Sequence, residues 1–98
     1  MSTYAIQQVE KDSITEIHFS GSLIINHIAK IYEDLKGIVT KDKQYSLFID
    51  NPESLDITFV ELVISLKKSF KELKVTSTLK DDILQLLTKN GLDKELNN

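Results

Sequence analysis

Apolar and polar residues alternate weakly over Tyr4–Glu10, a pattern that predicts a strand suited to a sheet edge. Lys11-Asp12-Ser13 is a short polar turn. Ile14–Ser20 follows as a second strand, with Thr15, Ile17 and Phe19 on one face and Ile14, Glu16 and His18 on the other. So short a connection predicts an antiparallel hairpin. Gly21 is expected to break the strand, with Ser22 as N-cap of a helix whose inner face is Ile24, Ile28, Ile31, Leu35 and Ile38. Lys30, Glu33, Asp34 and Lys36 fill its wet side.

Gly37 and the polar Thr40–Gln44 lead into Tyr45–Asp50, where Leu47-Phe48-Ile49 is apolar on both faces, as in a central strand. Asn51-Pro52 signals a turn. Phe59, Leu62, Val63, Leu66 and Phe70 share a face of a helix over Phe59–Phe70. Leu73–Thr76 reads as a short strand. Thr78 opens a third helix, with Leu79, Ile83, Leu86 and Leu87 inward and Asn90-Gly91 as its stop. Leu92 and Leu96 can pack back, and the last few residues are expected to fray. Strand, strand, helix, strand, helix, strand, helix is the order of an α/β layer with a small mixed β-sheet. The first strand should lie antiparallel at one edge and the later ones parallel through right-handed crossovers. Residues 1–98 are expected to form a single domain.

Composition narrows the function classes. A net charge of −3 advertises neither nucleic acid nor an anionic membrane. All 12 basic residues are Lys, so no guanidinium fork is present for phosphates or base edges. The absence of cysteine removes disulfides, thiol catalysis and cysteine metal sites. No apolar run is long enough to span a membrane, and MSTYAIQQVEKD lacks the basic-then-apolar order of a secretory signal. A cytoplasmic protein is the expectation.

Candidate chemistry is sparse. His18 and His27 fall on different elements without a partner at metal-site spacing, and read as surface or boundary residues. Gly21, Gly37 and Gly91 form no phosphate-cradling motif. Asp81 and Asp82 suit the first turn of a helix, and Lys67, Lys68, Lys71 and Lys74 suit the end of one, with a docking patch for an acidic partner as the alternative for the lysines. Asp56-Ile-Thr-Phe-Val-Glu61 carries more. Thr58 and Glu61 have capping-box spacing, with Thr58 as N-cap. The competing reading makes the hydroxyl at this helix entrance a phosphoryl acceptor, stabilised by free N–H groups and the helix dipole. Capping is the commoner use of such a pattern.

In order along the chain, "IHFSGSL" (Ile17–Leu23), "SLFID" (Ser46–Asp50), "LDITFVELVISL" (Leu55–Leu66) and "LKVTSTLKDDILQLLTKNGL" (Leu73–Leu92) resemble landmarks of the STAS domain, shared by sulfate-transporter tails and bacterial anti-sigma-factor antagonists. The resemblance runs from about Ile14 to Leu96. It implies a regulatory, non-enzymatic module without metal or cofactor. The partner it implies is a protein: an anti-sigma kinase, or a transporter or signalling subunit such as those of bacterial lipid-transport ABC systems. Antagonists of this family are switched by phosphorylation of the hydroxyl residue after a conserved Asp. Here Asp56 matches that Asp, but Ile57 follows it and Phe59 replaces a family Gly, and the Asp50–Asp56 loop looks about two residues short. The usual switch is therefore not expected, and Thr58 or Ser54 would be displaced acceptors.

The expected working surface is the Asn51–Thr58 loop with the exposed side of the second helix: Asp56, Thr58, Glu61, Ser65 and Lys68, with Phe59 as an apolar anchor if it reaches the surface. If Phe59 instead continues its helix's inner face, it belongs to the core. A different class of function is a small-ligand binder using Asp50 and Asp56 at the carboxyl end of a central strand.

Overall fold

A computed structural model describes residues 3–40, 43–70 and 72–97. Lys41 and Asp42 of the polar connection, Lys71 of the lysine group and the terminal Asn98 lie outside the described residues. β1 (Tyr4–Lys11) and β2 (Ile14–Leu23) form the antiparallel hairpin, joined through Asp12, whose φ of 53° is one that Asp tolerates. The chain continues as α1 (Ile25–Ile38), β3 (Gln44–Asp50), a two-residue β4 (Ser54–Leu55), α2 (Ile57–Ser69), β5 (Lys74–Thr78), α3 (Asp81–Lys89) and a 3-10 turn at Asp93–Leu96. The sheet is mixed, in the order β1-β2-β3-β5; β3 is parallel to β2, β5 is parallel to β3, and β4 pairs with the end of β2. It is an α/β fold with the expected succession of long elements.

Thr15, Ile17 and Phe19 of β2 point with Tyr45, Leu47 and Ile49 of β3 and Val75 of β5 into one core. Ile31 and Leu35 of α1, Phe59, Val60 and Val63 of α2, and Ile83 and Leu87 of α3 close it from the same side. The other sheet face is not part of this core: Glu16, His18, Ser46, Phe48 and Asp50 are half-buried or exposed. β3 is central in order and apolar on both faces, as expected, but only its Leu47 and Ile49 face is buried in the core. Phe48 lies instead flat against the imidazole of His18, with 4.6 Å between ring centres.

Several boundaries differ from expectation. Gly21 does not end β2. It has a φ of 83°, pairs with Tyr4, and lets the strand run on to Leu23. Ser22 is therefore a buried strand residue and not the N-cap of α1. β5 continues through Thr78, which pairs with Asp50, so α3 begins only at Asp81. Leu86 points outward, and α3 buries Ile83 and Leu87. Leu96 packs back as expected and is fully buried, whereas the expected fraying does not reach Asn97, whose side chain accepts a hydrogen bond from the Ser77 N–H (3.1 Å). Gly91 does stop α3: with φ at 70°, its N–H reaches Thr88 O and the Leu92 N–H reaches Leu87 O, a Schellman closure.

Gly21 has a second role besides its dihedral. A Cβ there would run into the Thr3 carbonyl oxygen, and the Gly21 carbonyl accepts the Glu53 N–H at 2.8 Å. Gly21→Ala is expected to destabilise the fold by about 2–3 kcal/mol, from left-handed strain plus a backbone collision that no rotamer relieves. Denaturant unfolding measures it; a change under about 0.5 kcal/mol would mean that β1 shifts freely at its start.

Candidate functional site

β4 positions the site. Its two residues pair with Ser22 and Leu23 at the end of β2, with the Ser54 hydroxyl donating to Ser22 Oγ (3.2 Å) and the Asp56 N–H donating to Leu23 O (3.1 Å). This pairing brings Asp56 from the α2 entrance to the foot of α1, 31 residues away in sequence from Ile25. Asp56 is the N-cap of α2, and its Oδ1 accepts the Thr58 N–H at 3.1 Å. Its Oδ2 accepts the Ile25 N–H of α1 at 2.8 Å. One carboxylate thus closes two helix N-termini, where the partial positive charge of each macrodipole favours an anion.

This arrangement replaces the expected capping box. Thr58 is the second helical residue, and its hydroxyl donates to Asp56 Oδ1. Phe59 occupies the third helical position, where a box needs Glu or Gln, and Glu61 stands two residues further along, exposed. Asp is a stronger N-cap than Thr, so α2 starts two residues earlier than the Thr58 reading places it. The same geometry bears on Thr58 as an acceptor: a phosphoryl group there would set nearly two negative charges against the Asp56 carboxylate and remove the hydroxyl's donor hydrogen. Ser54, the other candidate acceptor, is half-buried in β4 with its hydroxyl on Ser22.

Phe59 is not a surface anchor. It is 0% exposed and meets Phe19 edge-on, with ring centres 5.2 Å apart. The exposed apolar groups at this end are two isoleucines: Ile57, 41% exposed, and Ile25, 63% exposed. They are the first residues of α2 and α1: Ile57 follows Asp56 directly, and the Ile25 N–H donates to the Asp56 carboxylate. Along the outer side of α2, Ile57 is followed at helical spacing by Glu61, Ser65 and Lys68, all exposed. Sequence reasoning missed both isoleucines. Ile57 stood out only for its lack of a hydroxyl; the periodicity that puts Ile24 on the inner face of α1 already turned Ile25 outward, but gave no sign that Ile25 lies near the α2 entrance.

Further along, α1 and α2 leave a groove of about 390 Å³, with Tyr32 and Val39 on one wall and Leu62, Ser65, Leu66 and Phe70 on the other. The lysine group is split. Lys67 reaches Glu95 at 3.6 Å and ties α2 to the chain end, whereas Lys68 and Lys74 are exposed.

Of the two acids at this end, Asp56 accepts from two backbone N–H groups and Asp50 faces His18 on the open sheet face. Both His18 ring nitrogens meet carboxylates: Nδ1 lies 2.7 Å from Asp50 Oδ2, and Nε2 lies 3.0 Å from Glu16 Oε1. The Glu16 hydrogen bond, opposed by partial desolvation and reinforced by Asp50, holds the His18 pKa above its ordinary value of 6.5. Glu16-x-His18, two residues apart on a strand, was a readable signal of half of this contact. The Asp50 half depends on strand pairing. Among the described residues no three His, Asp or Glu side chains are grouped as metal ligands would be, and no helix is long and apolar enough to cross a membrane. No known family model matches this chain, and no curated protein matches its sequence.

Proposed function

We propose that this chain is a non-enzymatic regulatory module that binds another protein at the shared entrance of α1 and α2, in the manner of a STAS-like anti-sigma-factor antagonist that is not switched by phosphorylation. The observation that carries the reading is the exposed pair Ile25 and Ile57 around a fully hydrogen-bonded Asp56. Two isoleucines at rigid helix starts form a preorganised apolar knob, and burying such a side chain against a partner contributes roughly 1.5–3 kcal/mol. Glu61, Ser65 and Lys68 extend the surface with polar groups of both signs, as an interface rim does. In the resemblance to antagonists, Ile57 stands at the acceptor position, so an apolar contact takes the place of a modifiable hydroxyl and binding is constitutive.

A second version of the same class is a lasting subunit of a transporter or signalling complex. The α1–α2 groove and the exposed Leu84 and Leu86 of α3 favour it, since they add apolar surface outside the core. The small-ligand alternative loses support because both of its carboxylates are engaged within the fold.

Affinity capture with quantitative mass spectrometry, run side by side on the wild type and the Ile25→Asp/Ile57→Asp variant, tests the proposal. A prey protein held by the wild type is expected to fall at least about tenfold with the variant, because two charges replace the apolar knob. Prey retained equally by the two folded proteins would place the working surface elsewhere. Prey recovered in stoichiometric amount and retained through prolonged washing would identify the lasting-subunit version, since a permanent interface dissociates slowly.

A further inference from the structure

His18 lies at the centre of the open sheet face, and its surroundings are strongly one-sided in charge. From its own strand, Glu16 bonds Nε2; from β3, Asp50 bonds Nδ1 and Phe48 stacks on the ring. From β1, Gln7 stands opposite and is neutral, and Lys11 reaches Glu16 only at 3.9 Å. From β5, Thr76 lies in line beyond Phe48, and Lys74 lies beyond Ser46. Two carboxylates in direct contact, with no cation against the ring among the described residues, favour the imidazolium.

Asp50 is also the last residue of β3. Directly after it, Asn51 turns the chain at a φ of 42° into the segment that ends at Asp56 and Ile57. Besides the β4 pairing, N–H bonds from Asn51 to Thr78 O (2.7 Å), Glu53 to Gly21 O (2.8 Å) and Asp56 to Leu23 O (3.1 Å) hold that segment.

We propose that His18 is a proton-operated clasp on this segment: the protonated ring holds Glu16 and Asp50 together, and loss of one proton releases Asp50 and loosens the base of the α2 entrance. The inference rests on the reading of that entrance as a docking surface and adds its regulation. A neutral imidazole has one donor and one acceptor, so one of its two nitrogens must then present a lone pair to a carboxylate oxygen. Glu16, with its side chain only 18% exposed and Lys11 nearby, has little room to leave; Asp50, at 50%, can turn into water. The sign follows from the raised pKa. The clasp is closed, and its stabilisation fully present, below 6.5; both are lost as pH rises through the folded-state pKa.

An NMR titration of the full chain from about pH 5.5 to about 9 reads the clasp directly. The His18 ring should titrate with a midpoint above 6.5, and the amides of Asn51, Glu53, Ser54 and Asp56 should shift with the same midpoint. Hydrogen exchange of the bonded segment amides, corrected for intrinsic rate, should be about tenfold faster above the midpoint than below it. Asp50→Asn should lower the ring midpoint, and His18→Gln should abolish the response of the segment. Segment amides that ignore the ring midpoint while Gln7 and Phe48 follow it would overturn the proposal, as would an unchanged segment titration in His18→Gln. No partner is needed, so such a failure leaves the docking reading intact, and loss of capture in the isoleucine variant addresses that reading alone.

Discussion

Asp56→Ala is expected to lower the unfolding free energy by about 2–4 kcal/mol, more than one exposed N-cap normally contributes. The reason is the double use of the carboxylate. Removing an N-cap side chain costs about 1 kcal/mol per helix, and the charge-dipole attraction adds roughly 0.3–1 kcal/mol at each end. Here both effects are lost twice, at Ile25 and at Thr58. Two further variants divide the loss. Asp56→Ser leaves a hydroxyl able to cap α2 but too short to serve α1 as well, so it should recover about 1 kcal/mol and no more. Asp56→Asn offers a single oxygen and turns an NH₂ group toward the other helix's N–H, so it should also recover only part. Denaturant unfolding gives the totals, and amide exchange at Ile25 and Thr58 shows which helix end has opened. Full recovery in Asp56→Ser would mean that the contact to α1 is energetically idle.

This double cap marks where sequence reading stopped. The hairpin, the Ile31–Leu35 stripe, the Gly91 stop and the α/β order were legible because each depends on spacing within one element or on a short connection. The start of α2 was not. Asp56 and Thr58 are both acceptable N-caps, and what favours the earlier one includes the Ile25 N–H, which arrives only when β4 pairs with β2. Gly21 was misread for a related reason. A glycine inside an alternating run signals either an end or a left-handed residue within the ladder, and only the approach of Thr3 distinguishes them. Phe48 shows the limit of apolar runs as burial signals: an aromatic ring on an open sheet face satisfied itself against His18. At the candidate site, the outer side of α2 was legible from helical spacing, whereas the exposure of Ile57 as the first residue of α2 became visible only with the two-residue shift in that helix start.

That shift has a measurable consequence at Phe59. Phe59→Ala should cost about 3–5 kcal/mol, the range for emptying an aromatic site in a packed core. A surface anchor would change stability by less than about 0.5 kcal/mol. The ring is fully buried and edge-on to Phe19, so truncation removes both its transfer free energy and that contact. Phe59→Leu, which keeps most of the volume, should lose only about 1–1.5 kcal/mol. The decisive comparison is with Ile57→Asp, two positions away. An acid in the first turn of α2 is favoured by the helix dipole but set against the Asp56 carboxylate, so this variant should stay within about 0.5 kcal/mol of the wild type. If the entrance is the docking surface, Phe59→Ala loses its partner only in proportion to unfolding, and a stabilising osmolyte restores capture. Ile57→Asp stays folded and fails to capture under any solvent condition that leaves the wild type bound. Reversal of this pattern, with Phe59→Ala stable but unable to bind, would require the aromatic ring to leave the core on binding and would overturn the assignment of Ile57 as the contact.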